Sequence, residues 1–286
     1  MITYLFPGQG SQLVGMGKEL FAFYRRETAA ADAVLGYSIE DLCLRDLPPG
    51  GLQNTAFTQP ALYVVSALTY LKKLRENGRQ PDFAAGHSLG EYTALFASGV
   101  FDFQTGLRLV QQRGALMAQV SGGAMAAVIG LSSERIASVL AARTLDTVYV
   151  ANINSPDQIV ISGLKADLDR AKPVLEGAGA RMVMPLKVSG AFHSRYMVAA
   201  RREFEAFLQP FSFAAPRFPV ISNATARPYT EAEVKYLLAE QITRPVRWSE
   251  IIQFLLRQPA MSFEEVGPGN VLTGLLKKFT AAQTAV

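Results

Sequence analysis

The sequence predicts an α/β protein: a largely parallel sheet covered by helices, with a smaller sheet-bearing unit inserted into it. Three observations carry this. Short apolar strand-like runs alternate with longer helical stretches over most of the chain, the pattern of parallel strands joined by crossover helices. Between residues 124 and 189 the order changes to β-α-β-β-α-β. Gly86-His87-Ser88-Leu89-Gly90 stands between an apolar run and a helical stretch, which is the strand–turn–helix setting of a nucleophile elbow.

Residues 2–6 read as a short buried strand, followed by the glycine-rich loop Pro7-Gly8-Gln9-Gly10-Ser11-Gln12. A dinucleotide-binding reading of that loop fails, because position 13 is Leu13 rather than glycine and no Walker lysine follows. What remains is a loop with free backbone N–H groups at the carboxyl end of a strand, where open α/β folds place their sites. Residues 58–74 read as a helix with Pro60 near its first turn, 83–85 as a strand, and 89–98 and 104–119 as helices. Gly122-Gly123 breaks the pattern. Residues 124–131 then read as a strand and 132–142 as a helix opened by Ser132. Strands at 148–153 and 158–162 flank the turn Asn154-Ser155-Pro156-Asp157. A helix at 165–176, with a kink expected at Pro173, leads to a strand at 181–188. That order is ferredoxin-like. The expected division is therefore a small subdomain, 124–189, set into a large domain made of 1–123 and 190–286. The remainder reads as a helix (196–208), a strand (219–222), helices (231–241, 248–257), a strand (261–266) and a last helix (271–279).

The chain of 286 residues, 49% hydrophobic, is long enough to bury a large core without staples. Cys43 is its only cysteine, which excludes an intrachain disulfide and fits a reducing cytoplasm. No uncharged apolar run approaches the roughly 18 residues of a membrane span, and the N-terminus lacks a basic signal-peptide region. The net charge of +4 is spread over short blocks such as Lys72-Lys73 and Arg201-Arg202. These read as solvated surface, with no nucleic-acid motif among them.

A serine needs a base to act as a nucleophile at neutral pH. The chain has two histidines. His87 adjoins Ser88 on the turn, so its side chain is expected to diverge from the hydroxyl. His193, in Gly190-Ala191-Phe192-His193-Ser194, is the general base that remains. No aspartate stands out as the third member, and a carbonyl can orient the imidazole instead. Arg113 shares the inward stripe of Leu107, Val110 and Met117 by helical spacing. Burying a guanidinium is costly without a partner. Two readings stand open: an internal ion pair with an Asp or Glu, or a bidentate grip on a substrate carboxylate. Elbow geometry offers the N–H of Leu89 to an oxyanion, and the loop at Gly8-Gln9-Gly10 offers a second from Gln9.

Five segments together resemble the malonyl-CoA:acyl carrier protein transacylases of fatty-acid synthesis and the acyltransferases of polyketide synthases: Phe6-Pro7-Gly8-Gln9-Gly10-Ser11-Gln12, Gly86-His87-Ser88-Leu89-Gly90-Glu91, Gln112-Arg113-Gly114, Gly190-Ala191-Phe192-His193-Ser194 and Glu265-Val266-Gly267-Pro268-Gly269. The resemblance runs from Tyr4 to about Leu276, in the family's order. It implies an α/β-hydrolase-like large domain with a ferredoxin-like insert. It further implies Ser88 as the acyl-accepting nucleophile, His193 as its base, Gln9 and Leu89 as the oxyanion hole and Arg113 as the clamp on the malonyl carboxylate. The main-chain carbonyl that orients the histidine falls at Gln241. Leu89 and Phe192 follow the malonyl-selective pattern, the Phe192 ring crowding a methyl on the malonyl carbon.

The implied partners are malonyl-CoA and a phosphopantetheinylated acyl carrier protein, with no metal, cofactor, nucleic acid or membrane. The expected state is a cytoplasmic monomer. Phe57-Thr58-Gln59-Pro60-Ala61-Leu62 and Gly99-Val100-Phe101-Asp102-Phe103 look closest to discrete acyltransferases that serve polyketide synthases in trans, and no linker to a synthase module is evident. Two rivals keep the same residues. An editing acyl hydrolase leaves Arg113 without a partner, and a non-catalytic carrier-docking subunit leaves the Ser–His–Arg set without a task.

Overall fold

The computed structural model describes residues 1–188 and 190–283. Its helices are α1 (Lys18–Phe23), α2 (Arg25–Leu35), α3 (Ile39–Arg45), α4 (Thr55–Asn77), α5 (Gly90–Ala97), α6 (Phe103–Ala118), α7 (Ser133–Ala141), α8 (Lys165–Gly177), α9 (Val198–Leu208), α10 (Val234–Glu240), α11 (Trp248–Leu256) and α12 (Val271–Gln283). Its strands are β1 (Ile2–Phe6), β2 (Phe83–Gly86), β3 (Gly123–Ile129), β4 (Tyr149–Ser155), β5 (Gln158–Leu164), β6 (Met182–Pro185), β7 (Val220–Ile221) and β8 (Ser262–Glu265). Among the described residues no helix is long and apolar enough to cross a membrane.

Two sheets result. The first has order β7-β2-β1-β8 and every pairing in it is parallel. Its central strands are apolar at consecutive positions because both faces are covered. Tyr4 and Phe6 of β1 face the core built on α4, α5 and α6, while Leu5 faces a second core with Trp248, Ile251 and Leu255 of α11 and Leu272 of α12. The second sheet has order β4-β5-β3-β6, antiparallel throughout. It has its own core, in which Val128, Ile159 and Ile161 meet Ile136 and Leu140 of α7 and Leu168 and Leu175 of α8. Parallel sheet, crossover helices and antiparallel insert are the architecture the sequence predicts.

The differences are local. Helices α1 to α3 occupy a stretch where periodicity gave no element. Each buries only two or three residues, and α2 is alanine-rich, so its apolar stripe is faint. Helix α4 begins earlier than expected. Asn54 caps it through its side chain, which accepts from the Ala56 N–H at 3.0 Å, so Pro60 lies inside the helix rather than in its first turn. Strand β6 stops at Pro185 rather than continuing to 188. After the Leu186 N–H donates to Met125 O at 2.9 Å, the Val188 N–H turns back to Leu186 O at 2.9 Å. The chain thus leaves the sheet edge, and Leu186, Lys187 and Val188 line the cavity described next.

Candidate active site

Ser88 sits at the carboxyl end of β2, just before α5, with φ 50°. That left-handed conformation is uncommon for a residue with a side chain. Two flanking glycines make the turn possible by close approach. A Cβ on Gly86 would overlap the backbone of Gly90 and Glu91, and one on Gly90 would overlap the Phe6 carbonyl. Two side chains then fix the serine's backbone. Its N–H donates to Asn223 Oδ1 at 2.7 Å, and its carbonyl accepts from Gln241 Nε2 at 2.8 Å.

His193 lies in the loop that returns from β6, also at positive φ, 56°. Its Nε2 is 2.8 Å from Ser88 Oγ. Its Nδ1 faces two main-chain carbonyls, Gln241 O at 2.8 Å and Arg244 O at 3.2 Å. Carbonyls only accept, so Nδ1 carries the proton and Nε2 is left as an acceptor toward the serine. Burial, with the Arg113 charge beside it, pushes the imidazole down to about 3, so it is neutral at physiological pH, with Nε2 free to accept. His87 points elsewhere: its Nε2 is 2.8 Å from Asn154 Oδ1 on β4, and its ring lies against Trp248.

Arg113, on α6, is 1% exposed. Its Nη1 donates to Gln59 Oε1 at 2.5 Å; its Nη2 donates to Gln241 Oε1 at 2.9 Å and to Ser88 Oγ at 3.1 Å. Tyr92 lies 5.5 Å from the guanidinium, ring centroid to Cζ. All these acceptors are neutral, and among the described residues Arg113 forms no ion pair. The internal ion pair considered from the sequence is absent there; Gln241 stands between the guanidinium and the buried Glu91 carboxyl.

The loop after β1 comes over the turn from the other side. Thr55 Oγ1 donates to Gln9 Oε1 at 2.9 Å and accepts from Gln59 Nε2 at 2.9 Å, tying the loop to the Arg113 environment. The Gly10 N–H is taken up by Gln12 Oε1 at 2.7 Å. The main-chain N–H groups of Gln9 and Leu89 have no protein acceptor among the described residues.

Gln9, Ser88, Leu89, Arg113, Phe192 and His193 all line one cavity of about 360 Å³. Gln241 lies behind it and reaches Ser88, Arg113 and His193 at once. Three participants were missed by the sequence reading: Gln59, Asn223 and Glu91. Glu91 had a signal, a carboxylate at the start of an otherwise apolar helix. Gln59 had a weaker one, a polar residue one helical turn from Thr55. Asn223 had none, because its role depends on the β7 end meeting the turn at Ser88. Among the described residues no cluster of His, Cys, Asp or Glu could hold a metal ion.

The chemistry available is a serine nucleophile, a neutral imidazole to take its proton, two free N–H donors and a buried cation facing the same space. The acyl transferase domain model matches residues 3–284. The polyketide biosynthesis malonyl CoA-acyl carrier protein transacylase BaeC of Bacillus velezensis is 56% identical over 279 residues, covering 97% of this chain and 96% of that protein. The crystal structure of a malonyl CoA-acyl carrier protein transacylase from Burkholderia pseudomallei superposes with TM-score 0.94 at 49% identity, covering 98% of both chains. A malonyl-transacylase in complex with its type II polyketide synthase acyl-carrier protein gives TM-score 0.91 at 38% identity, covering 96% of this chain and 92% of that one.

Proposed function

The chain belongs to the acyl transferase domain family, and we propose from its site that it moves a malonyl group from malonyl-CoA, through an ester on Ser88, to the pantetheine thiol of an acyl carrier protein. The observation that carries this reading is Arg113. A buried guanidinium with only neutral acceptors among the described residues, 3.1 Å from the nucleophilic oxygen, is matched to an acyl group that brings its own carboxylate.

In this mechanism the malonyl carboxylate pairs with Arg113, which sets the thioester carbonyl over Ser88. His193 Nε2 takes the serine proton as Oγ attacks. The N–H groups of Gln9 and Leu89 stabilise the tetrahedral oxyanion. The carbon–sulfur bond breaks, the proton passes from His193 to the departing CoA sulfur, and a malonyl-serine ester remains. The carrier's thiol then gives its proton to His193 and attacks the ester; the acyl carbon–Oγ bond breaks, His193 returns the proton to Oγ, and Ser88 is regenerated in a ping-pong cycle. The Gln241 carbonyl holds the imidazole in the tautomer both half-reactions need. Phe192 narrows the space at the malonyl α-carbon, where a pocket discriminates one methyl by about 1–3 kcal/mol. The names of the polyketide-associated relatives support a place in polyketide assembly, and the single cysteine fits a reducing cytoplasm.

Intact-mass spectrometry after incubation with malonyl-, methylmalonyl- or acetyl-CoA tests the reading. A malonyl adduct, absent in Ser88→Ala and passed to a holo carrier protein, is expected. Rapid release of free acid from acyl-carrier protein, with no malonyl transfer, would identify an editing hydrolase instead.

A further inference from the structure

Glu91, the second residue of α5, is a fully buried carboxyl that the mechanism above does not use. Its Oε1 accepts from the Asn223 main-chain N–H at 2.7 Å and from Tyr229 Oη at 2.9 Å; its Oε2 accepts from Gln241 Nε2. The first and last of these partners are the residues that grip Ser88. Asn223 Oδ1 takes the serine N–H, and Asn223 Nδ2 donates to Gly86 O at 2.7 Å. Gln241 Nε2 reaches the serine carbonyl, and its Oε1 faces Arg113 Nη2.

We infer that Glu91 is a positioning residue: its two oxygens fix Asn223 and the amide of Gln241, and through Gln241 they orient Arg113 toward the substrate carboxylate. The selectivity consequence rests on the malonyl reading of the site. A carboxyl can accept at both oxygens, whereas an amide of the same shape accepts at one and donates at the other. The Asn223 N–H is main chain and cannot turn away. A glutamine at position 91 must therefore give it the oxygen and set an NH2 group against Gln241 Nε2. Gln241 relieves that clash by turning its own amide over. Its NH2 then faces the guanidinium, Arg113 loses an acceptor and the Ser88 carbonyl loses a donor.

Protonation has no such effect. Burial pushes the Glu91 carboxyl up to about 7, against the pull of Arg113 and of the bonds from Asn223, Tyr229 and Gln241. A proton on Oε1 can go to the Tyr229 hydroxyl, which turns from donor to acceptor, and Oε2 still accepts from Gln241.

The test compares malonyl and acetyl loading of Ser88, by intact mass against time, in wild type, Glu91→Gln, Arg113→Ala and the double variant. Glu91→Gln is expected to lower the malonyl-to-acetyl loading ratio by about tenfold or more, the usual effect of one lost bond to a charged group. In the Arg113→Ala background the same substitution should leave the ratio unchanged, because the group it acts through is gone. Gln241→Met, which keeps the main-chain carbonyl for His193, should reproduce the fall and carries the test if Glu91→Gln does not fold. An undiminished ratio in Glu91→Gln or in Gln241→Met, or an equal fall without Arg113, overturns the inference. Wild-type protein that acquires no malonyl group on Ser88 overturns the proposed function instead.

Discussion

Ser88 and His193 hold left-handed backbone conformations, φ 50° and 56°, that cost of order 1–3 kcal/mol each for side-chain-bearing residues. Hydrogen bonds hold both in place: Asn223 and Gln241 grip the serine backbone, and the Gln241 and Arg244 carbonyls hold the imidazole. Arg113→Ala should lower kcat/KM for malonyl-CoA by about 2–5 kcal/mol, the usual loss when one member of a buried charge pair is truncated. It should lower acetyl-CoA loading far less, as parallel kinetics with the two donors will check. Burial and the Arg113 charge push His193 down to about 3. The imidazole is protonated only below that value, so kcat/KM, which reports the free enzyme, should show no acid limb near pH 6.5. A pH series of initial loading rates measures this.

At the scale of elements, the turn between β2 and α5 is an exchange of propensity for geometry. Alanine at Gly90 would favour the helix by about 1 kcal/mol. Its methyl would also overlap the Phe6 and Pro7 carbonyls that bring the glycine-rich loop against the turn. The steric conflict wins, because both sides are backbone. Gly90→Ala is therefore expected to lower the unfolding midpoint and abolish loading of Ser88; chemical denaturation and intact mass read the two effects. Much of this element-level logic was legible in the sequence. The glycines, the alternation of strand and helix and the inward stripe of α6 are local patterns. Helices α1 to α3 were not legible, since each buries few residues and its place is set by packing on α4 and α6. The end of β6 was not legible either, because apolar residues continue at Leu186 and Val188 although the chain turns into the cavity.

For the whole molecule, the base depends on three separate pieces of chain. His193 follows the antiparallel sheet, its carbonyl partners lie just after α10, and that segment is tied back to β4 by the Val246 N–H to Ala151 O at 2.8 Å and the Ile153 N–H to Val246 O at 2.9 Å. The same coupling appears in stability. The folded Glu91 carboxyl, at about 7, binds its proton more tightly than in the unfolded chain, where it lies near 4.5. Its contribution is therefore favourable below pH 4.5 and is lost as the pH rises toward and through 7. His193 has the opposite sign: its folded value is depressed, so its contribution is present above 6.5 and is lost as the pH falls toward 3. Between pH 4.5 and 6.5 the two slopes oppose each other. Glu91→Gln removes one of them, so the variant should gain stability relative to wild type as the pH rises from 4.5 to 7, by on the order of 3 kcal/mol. Urea unfolding of both proteins at pH 5 and pH 8 measures the difference.

Neighbours along the chain encode a serine on a glycine-bounded turn, a single histidine free to serve it, a cation on an inward helical stripe, and an insert with its own strand order. Each follows from backbone sterics or periodicity, which act over a few residues. Packing of distant segments decided that Arg113 has no carboxylate partner among the described residues, that Gln241 bonds at once to Ser88, Arg113, His193 and Glu91, and that Asn223 holds the serine from the far end of β7. Those contacts join residues 48 to 153 positions apart, and which donor meets which acceptor is fixed only when the two sheets and their helices pack.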